Sequence, residues 1–189
     1  MASRAEAVAA TRERIARSAL RLLMECAYDD VTLADIAATA KVSHQTVLNH
    51  YQSKEGAALA AIELLRGETE ALRTSVRRGD PGHAVEVLVE QYERFGDLNV
   101  RWAMSAERLG RLAVLLDHAR AAHRGWLEDT FAQALPAAAA ERRRAVNALH
   151  AATDVYTWKL LRRDLRLSRS ETIRAMTALV RGVLPGDQP

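Results

Sequence analysis

Cysteine is almost absent from this sequence, and the one present, Cys26, excludes an internal disulfide and leaves a thiolate zinc site short of ligands. That usage suits a reducing compartment. Cys26 follows Leu22 and Leu23 and reads as filler in the core of a first helix. Proline (4), glycine (9) and aromatic residues (5%) are also scarce, whereas 49% of the chain is hydrophobic, led by Ala and Leu. Few breakers and many helix formers predict an all-α protein. No run approaches the ~20 apolar residues of a membrane span. The opening MASRAEAVAATRER lacks the apolar centre of a signal peptide, so the expected location is cytoplasmic. A nucleophile elbow, a P-loop, a Rossmann glycine pattern and a paired-carboxylate motif are all missing, and no enzyme or cofactor is expected.

The informative stretch is VTLADIAATAKVSHQTVLNHYQSKE, Val31 to Glu55. Thr32 is placed to cap a short helix, with Asp35 three residues on, and Leu33, Ile36, Ala37 and Ala40 recur on one face. After Lys41 and Val42, Ser43 caps a second helix that buries Val47 and Tyr51 against the first. His44, Gln45, Thr46, Leu48 and Asn49 are left near the outer surface. Gln and Asn each offer a donor and an acceptor to adenine, and His and Thr supply further groove contacts. Lys54 stands in the first turn of the next helix, capped by Ser53, where free N–H groups and a positive charge favour phosphate. This is the pattern of a helix-turn-helix.

The order Val31-Thr32, Ile36-Ala37, Ala40, Val42-Ser43, Thr46, Asn49-His50-Tyr51, Ser53-Lys54-Glu55 resembles the DNA-binding domain of the tetracycline-repressor (TetR/AcrR) family of bacterial regulators. Three positions depart from the family pattern. Lys41 replaces the usual turn glycine, Leu48 replaces a tyrosine that in the family reaches a phosphate, and Tyr51 replaces phenylalanine. The resemblance implies DNA contacts from Thr32, Lys41, Ser43, His44, Gln45, Thr46, Leu48, Asn49, His50, Tyr51 and Lys54. It also makes Arg4 and Arg12 backbone or minor-groove contacts, although Arg4 reads equally as part of a frayed tail before Thr11. Charge adds little: Arg4, Arg12, Arg14, Arg17, Arg21, Lys41 and Lys54 are matched one for one by Glu6, Glu13, Glu25, Asp29, Asp30, Asp35 and Glu55. Binding would rest on placed cations rather than on a basic stripe.

Elsewhere the periodicity predicts a supporting helix from about Ala10 to Cys26 and a long linking helix from Ser53 to about Arg78, ended by Gly79-Asp80-Pro81-Gly82. Further helices are expected over His83 to Phe95, closed by Gly96-Asp97; Leu98 to Arg108, with a break near Gly110; Leu112 to Leu135; Ala137 to about Leu165; and Ser170 to Leu184, closed by Pro185-Gly186. The total is about nine. The expected architecture is a helix-turn-helix domain over residues 1–55, a linking helix over 53–78, and a helical effector-binding and dimerisation domain over 79–189.

The last two helices carry stripes, Leu149, Ala152, Tyr156 and Leu160 on one and Ile173, Met176, Val180 and Leu184 on the other. The resemblance implies that these form a four-helix homodimer interface; the plainer alternative is an intramolecular pair. It also implies a cavity for a small effector lined from Tyr92, Phe95, Asn99, Trp102, Met104, His123, Trp126, His150, Asp154 and Trp158, for each of which ordinary core packing is the competing reading. His118 and His123 miss the spacing of a helical metal pair, and His150 with Asp154 reads as a helix-surface pair. The arginine clusters around Arg143 and Arg163 read as solvated faces.

The functional expectation is a sequence-specific regulator that binds a pseudo-palindromic double-stranded operator as a homodimer and is released by a small-molecule effector. The alternatives are a helical ligand-binding or adapter protein that has lost its affinity for DNA and, without positive support from any motif, a small-molecule enzyme on the helical domain with His150 and Asp154 as its only candidates.

Overall fold

The computed structural model describes residues 3–105 and 113–184, and among these the regular structure is entirely helical. The chain divides into two compact units, Met1–Glu70 and Ala71–Pro189.

In the first unit α1 spans Arg4–Glu25, well ahead of the expected start at Ala10. Ser3 and Glu6 form a reciprocal capping box, with the Glu6 N–H donating to Ser3 Oγ at 3.2 Å. The first turns are exposed, so the cap and the helix-forming sequence hold them rather than packing. At the far end Cys26 is exposed, not core filler. Its backbone is already extended (φ −120°, ψ 161°), which turns the side chain off the stripe formed by Ile15, Ala19 and Leu23. A short 3₁₀ turn, Tyr28–Asp30, leads through buried Val31 to α2, Leu33–Ala40, and α3, His44–Tyr51. Ile36, Ala40 and Val47 complete the core with Ala57 and Ala61 from the start of α4, Lys54–Arg73.

Helix α4 stops short of the expected Arg78. The hydroxyls of Thr74 and Ser75 donate to the carbonyls of Ala71 and Leu72, taking acceptors that a further turn would use.

The second unit is built on α5, Pro81–Met104, capped by Asp80, whose carboxylate accepts from the His83 N–H at 3.0 Å. The expected stop at Gly96-Asp97 does not occur. Gly96 lies inside the helix against the ring of fully buried Trp158, and a Cβ there would stand 2.7 Å from Cη2. Asp97 accepts two hydrogen bonds from the Arg163 guanidinium, each 3.0 Å. The glycine is a packing requirement, and the aspartate is an ion-pair partner.

Helix α6 spans Ala113–Thr130, shorter than expected at its end; Phe131 and Leu135 follow in a buried turn. The break expected near Gly110, the boundaries at Arg108 and Leu112, and the Pro185-Gly186 stop lie outside the described residues. The long helix expected over 137–165 is divided into α7, Ala139–Thr153, and α8, Val155–Lys159, followed by a π-helical turn, Leu160–Asp164. Asp154 is extended (ψ 152°) and its side chain caps α8 through the Tyr156 N–H. Side chains take the carbonyls freed by the break: the Thr157 hydroxyl donates to Ala151, and Tyr92 to Thr153. Helix α9, Arg169–Val183, starts from the Ser168–Glu171 capping box and packs on α5 and α7.

Candidate functional site

The Thr32 cap of α2 is reciprocal, with the Asp35 N–H donating to Thr32 Oγ1 at 3.1 Å and the Thr32 N–H to Asp35 Oδ2 at 2.9 Å. These donors lower the pKa of the Asp35 carboxyl, first through the Thr32 hydroxyl and then through its backbone. The helix closes at Lys41, which is left-handed (φ 54°, ψ 48°). Its N–H donates to Ala38 and that of Val42 to Ala37, the two crossing bonds of a Schellman turn. Glycine is the usual residue for that conformation, so Lys41 is strained in a turn that throws its ammonium into solvent.

Ser43 caps α3, accepting from the Thr46 N–H at 3.1 Å. Val47 (0% exposed) and Tyr51 (8%) face the core. His44, Gln45 and Asn49 are exposed, and Thr46, Leu48 and His50 are half-buried. Gln45 Nε2 donates to Asn49 Oδ1 at 2.9 Å, so the two amides form one fixed unit across a helical turn.

Two expected contact residues are drawn inward. The Tyr51 hydroxyl donates to the Arg12 carbonyl at 2.8 Å, and the Arg12 guanidinium lies 4.9 Å above its ring. Burial raises its pKa, with Arg12 opposing. A phenylalanine could pack there but could not make that bond, so Tyr51 joins α3 to α1 rather than facing a groove. Lys54 Nζ donates to the Tyr28 carbonyl at 3.0 Å and stands 4.2 Å from the Tyr28 ring centroid. The lysine thus closes the 3₁₀ turn with one donor and keeps others to spend elsewhere. Sequence reasoning missed Tyr28 and Gly56, and counted Arg14 only among the basic residues of the domain. Arg14 Nε donates to the Ala40 carbonyl at 3.0 Å and anchors the end of α2, while a Cβ on Gly56 would run into the Tyr51 carbonyl oxygen. No local pattern marks the partners of Arg14 and Tyr28, each 26 residues away.

In the second unit the expected pocket residues separate. Tyr92, Phe95, Trp102 and Trp158 are buried, and Asn99, Trp126, His150 and Asp154 half-buried. Met104 is 73% exposed in the last turn of α5 and is not a lining residue, because Trp102 takes the inward position. His123, 6% exposed, joins several of the others. Arg73 Nη2 lies 3.1 Å from His123 Nδ1, His123 Nε2 lies 2.9 Å from Thr153 Oγ1, and the Thr153 hydroxyl donates to the Leu149 carbonyl at 2.7 Å. A guanidinium only donates, so Nδ1 accepts and the proton sits on Nε2. Burial, then the charge of Arg73, then His150, hold the His123 pKa well below its ordinary value, so this imidazole is neutral. Burial likewise raises the Tyr92 pKa.

The expected interface stripes are also divided. Leu149, Ala152, Met176, Val180 and Leu184 are buried in the unit's own core, because α5 and α7 already cover that side of α9. Ile173 is half-buried, whereas Tyr156, Leu160, Leu165 and Leu179 are about half exposed (46–58%).

Among the described residues no group of three His, Cys, Asp or Glu side chains could hold a metal, and no helix is long and apolar enough to cross a membrane.

Residues 15–61 match the family model described as "Bacterial regulatory proteins, tetR family". Among solved structures, the chain is similar to a transcriptional regulator from Rhodococcus sp. Rha1, with a TM-score of 0.74 and 19% identity over 93% of this chain and 96% of that one. It is also similar to a TetR-family transcriptional regulator from Rhodococcus sp. (0.73, 15%, 92% and 98%) and to one from Streptomyces coelicolor (0.66, 20%, 93% and 79%). At such identities the likeness is one of fold. No curated protein matches the chain.

Proposed function

We propose that this chain, whose residues 15–61 match the model of the tetR family of bacterial regulatory proteins, is a member of that family and a DNA-binding transcriptional regulator that acts as a repressor. It binds a pseudo-palindromic operator as a homodimer, with one α3 in each of two major grooves. The observation that carries this reading is the exposed Gln45–Asn49 amide pair on a helix whose other face is sealed by Val47 and Tyr51. The pair leaves the Gln45 carbonyl as acceptor and the Asn49 amide as donor, the set that complements adenine N6–H and N7. Lys41, His44 and the uncommitted donors of Lys54 serve the backbone, fixing orientation rather than sequence.

Homodimerisation follows from the reader's size, since one short helix touches few bases and a two-fold pair doubles the contacts. The exposed Tyr156, Leu160 and Leu179 are the residues we assign to that interface. An effector bound in the second unit releases the operator by a change carried through α4, the helix whose first turn holds Lys54 and whose last holds Arg73. Half-sites sit about 34 Å apart or at multiples of it, so a small change in reader separation costs one of them.

The test is titration of the purified protein against a fluorescent fragment of the DNA flanking its own gene and an unrelated fragment, at two salt concentrations. Saturable preference for the flanking fragment is expected. If that fragment and selection from random DNA both yield no preferred sequence, the chain is the DNA-silent adapter instead.

A further inference from the structure

The guanidinium of Arg73 is held in the second unit by two neutral groups. Nε donates to Oε1 of Gln91 at 3.0 Å and Nη2 to Nδ1 of His123 at 3.1 Å. Both acceptors are buried, Gln91 4% exposed and His123 6%. Trp126 lies under the cation, with its ring centroid 5.0 Å from Cζ, and stacks on His123 at 5.8 Å. Among the described residues no carboxylate stands within ion-pair distance of Arg73, and Nη1 has no acceptor there. The contrast is with Arg66, one helical stretch earlier, which pairs with both Glu63 and Glu70.

A half-buried cation supported only by neutral dipoles is an expensive arrangement unless an anion completes it. The end of α4 offers partial compensation through its dipole, but a last-turn arginine needs no buried glutamine and histidine for that. Nor can His123 become the missing partner, since it is neutral and its other nitrogen is committed to Thr153. Among the described residues the groups facing the imidazole are Arg73 from α4, Trp126 from its own helix, and His150 (4.9 Å, edge-on) and Thr153 from α7. None of them is an anion. Asp154, on the break after α7, is engaged with His150 at 3.6 Å.

We propose that Arg73, oriented by Gln91 and His123 and backed by Trp126, is the anchor for the carboxylate of a small organic acid, which is the effector of this regulator. A carboxylate matches the geometry, because Nη1 and the second hydrogen of Nη2 form a planar fork that donates to two oxygens side by side. The indole beneath the guanidinium favours an acid with an apolar or aromatic body. This inference rests on the regulator reading, since it names the chemistry of that regulator's ligand. It also places the charge that changes on binding at the last turn of α4.

The test uses the full chain without DNA. Acetate, hexanoate, benzoate and salicylate are titrated against the uncharged analogues acetamide, hexanamide, benzamide and salicylamide, with tryptophan fluorescence and thermal unfolding as readouts. At least one acid is expected to quench fluorescence saturably and raise the melting temperature while its amide does neither. Arg73→Gln should weaken that acid by about tenfold or more. Arg73→Lys, which keeps the charge but loses the fork, should fall between the two. Circular dichroism and operator binding of each variant show whether it is folded. Absence of any response to all four acids, or equal responses to acids and amides, overturns the proposal. So does an undiminished response in folded Arg73→Gln. Operator binding is measured separately, so a chain that binds its operator but ignores the acids refutes only the anion site.

Discussion

Gln45 and Asn49 lie one turn apart on the exposed face of α3, joined by a 2.9 Å hydrogen bond between their amides. Each therefore fixes the rotamer of the other in the free protein, and the ordering cost of the proposed base recognition is lowered. Removing either should loosen both. Gln45→Ala is expected to relax base preference at one or two operator positions at a cost of about 1–3 kcal/mol. Binding to a panel of single-base operator variants measures it, and an unchanged preference profile rules out Gln45 as a reader.

Lys54 makes a different prediction. Its ammonium is engaged by the Tyr28 carbonyl and ring, and in the proposed complex its remaining donors meet a phosphate. Lys54→Ala should weaken all sequences alike and lower the salt slope by about one unit. An altered preference with an unchanged slope would remove it from the phosphate contacts.

Lys41 closes α2 in a left-handed conformation that favours glycine. Lys41→Gly should raise stability by about 1 kcal/mol, less the extra entropy that glycine brings to the unfolded chain. It should also weaken DNA binding by removing a cation from the turn. Denaturant unfolding and operator titration on the same sample separate the two effects; a destabilised variant would mean that the lysine makes the turn.

Gly96 and Gly67 both sit inside helices, yet their alanine variants should move in opposite directions. At Gly67 nothing lies within 4 Å of a new Cβ, and Gly67→Ala should stabilise by about 1 kcal/mol through helix propensity. At Gly96 three ring carbons of Trp158 lie within 3 Å of it, and that ring is fully buried and cannot retreat. Gly96→Ala should destabilise by about 1–3 kcal/mol despite its better propensity. Thermal unfolding of the two variants is the measurement.

His123 predicts a pH dependence. The neutral imidazole of the fold becomes an ordinary one on unfolding, with a pKa near ~6.5. Its folded pKa is depressed, so unfolding takes up a proton at pH values below that. Stability should be level above about pH 6.5 and decline as the pH falls through it. The lowered carboxylates of Asp35, Asp80 and Glu171 act in the same sense only at lower pH, leaving a window that reports His123. His123→Gln, which can still accept from Arg73 and donate to Thr153, should flatten stability between about pH 5 and 6.5. An undiminished slope assigns the proton elsewhere.

The proposed interface residues are tested on the exposed side of the last helices. Tyr156→Glu and Leu179→Glu are expected to shift sedimentation from dimer toward monomer while leaving helicity intact, whereas Leu149→Glu should unfold the second unit. Unaltered sedimentation in both surface variants would place the interface elsewhere.

The sequence by itself determined what is local. The capping box at Thr32, the Ser43 cap and the repeating apolar positions in α2 and α3 depend on residues three or four apart, and these elements lie where the pattern put them. Local grammar also misled in identifiable ways. Gly96 read as a stop and is a contact surface; the stripe through residues 149–160 read as continuous and breaks at Asp154. Cys26 read as buried and is not.

The tertiary structure decided everything that depends on partners far apart in the chain. Periodicity says that Met176 and Val180 share an apolar face, but only the position of α5 and α7 says that this face is already covered, leaving Leu179 outside. Composition shows arginines and histidines in plenty; that Arg73 meets His123 and Gln91, and no carboxylate among the described residues, follows from three helices converging on one point. Helix formation is governed by short-range sterics and hydrogen bonds, whereas the charge balance of a site depends on which side chains the packed fold brings within a few ångströms.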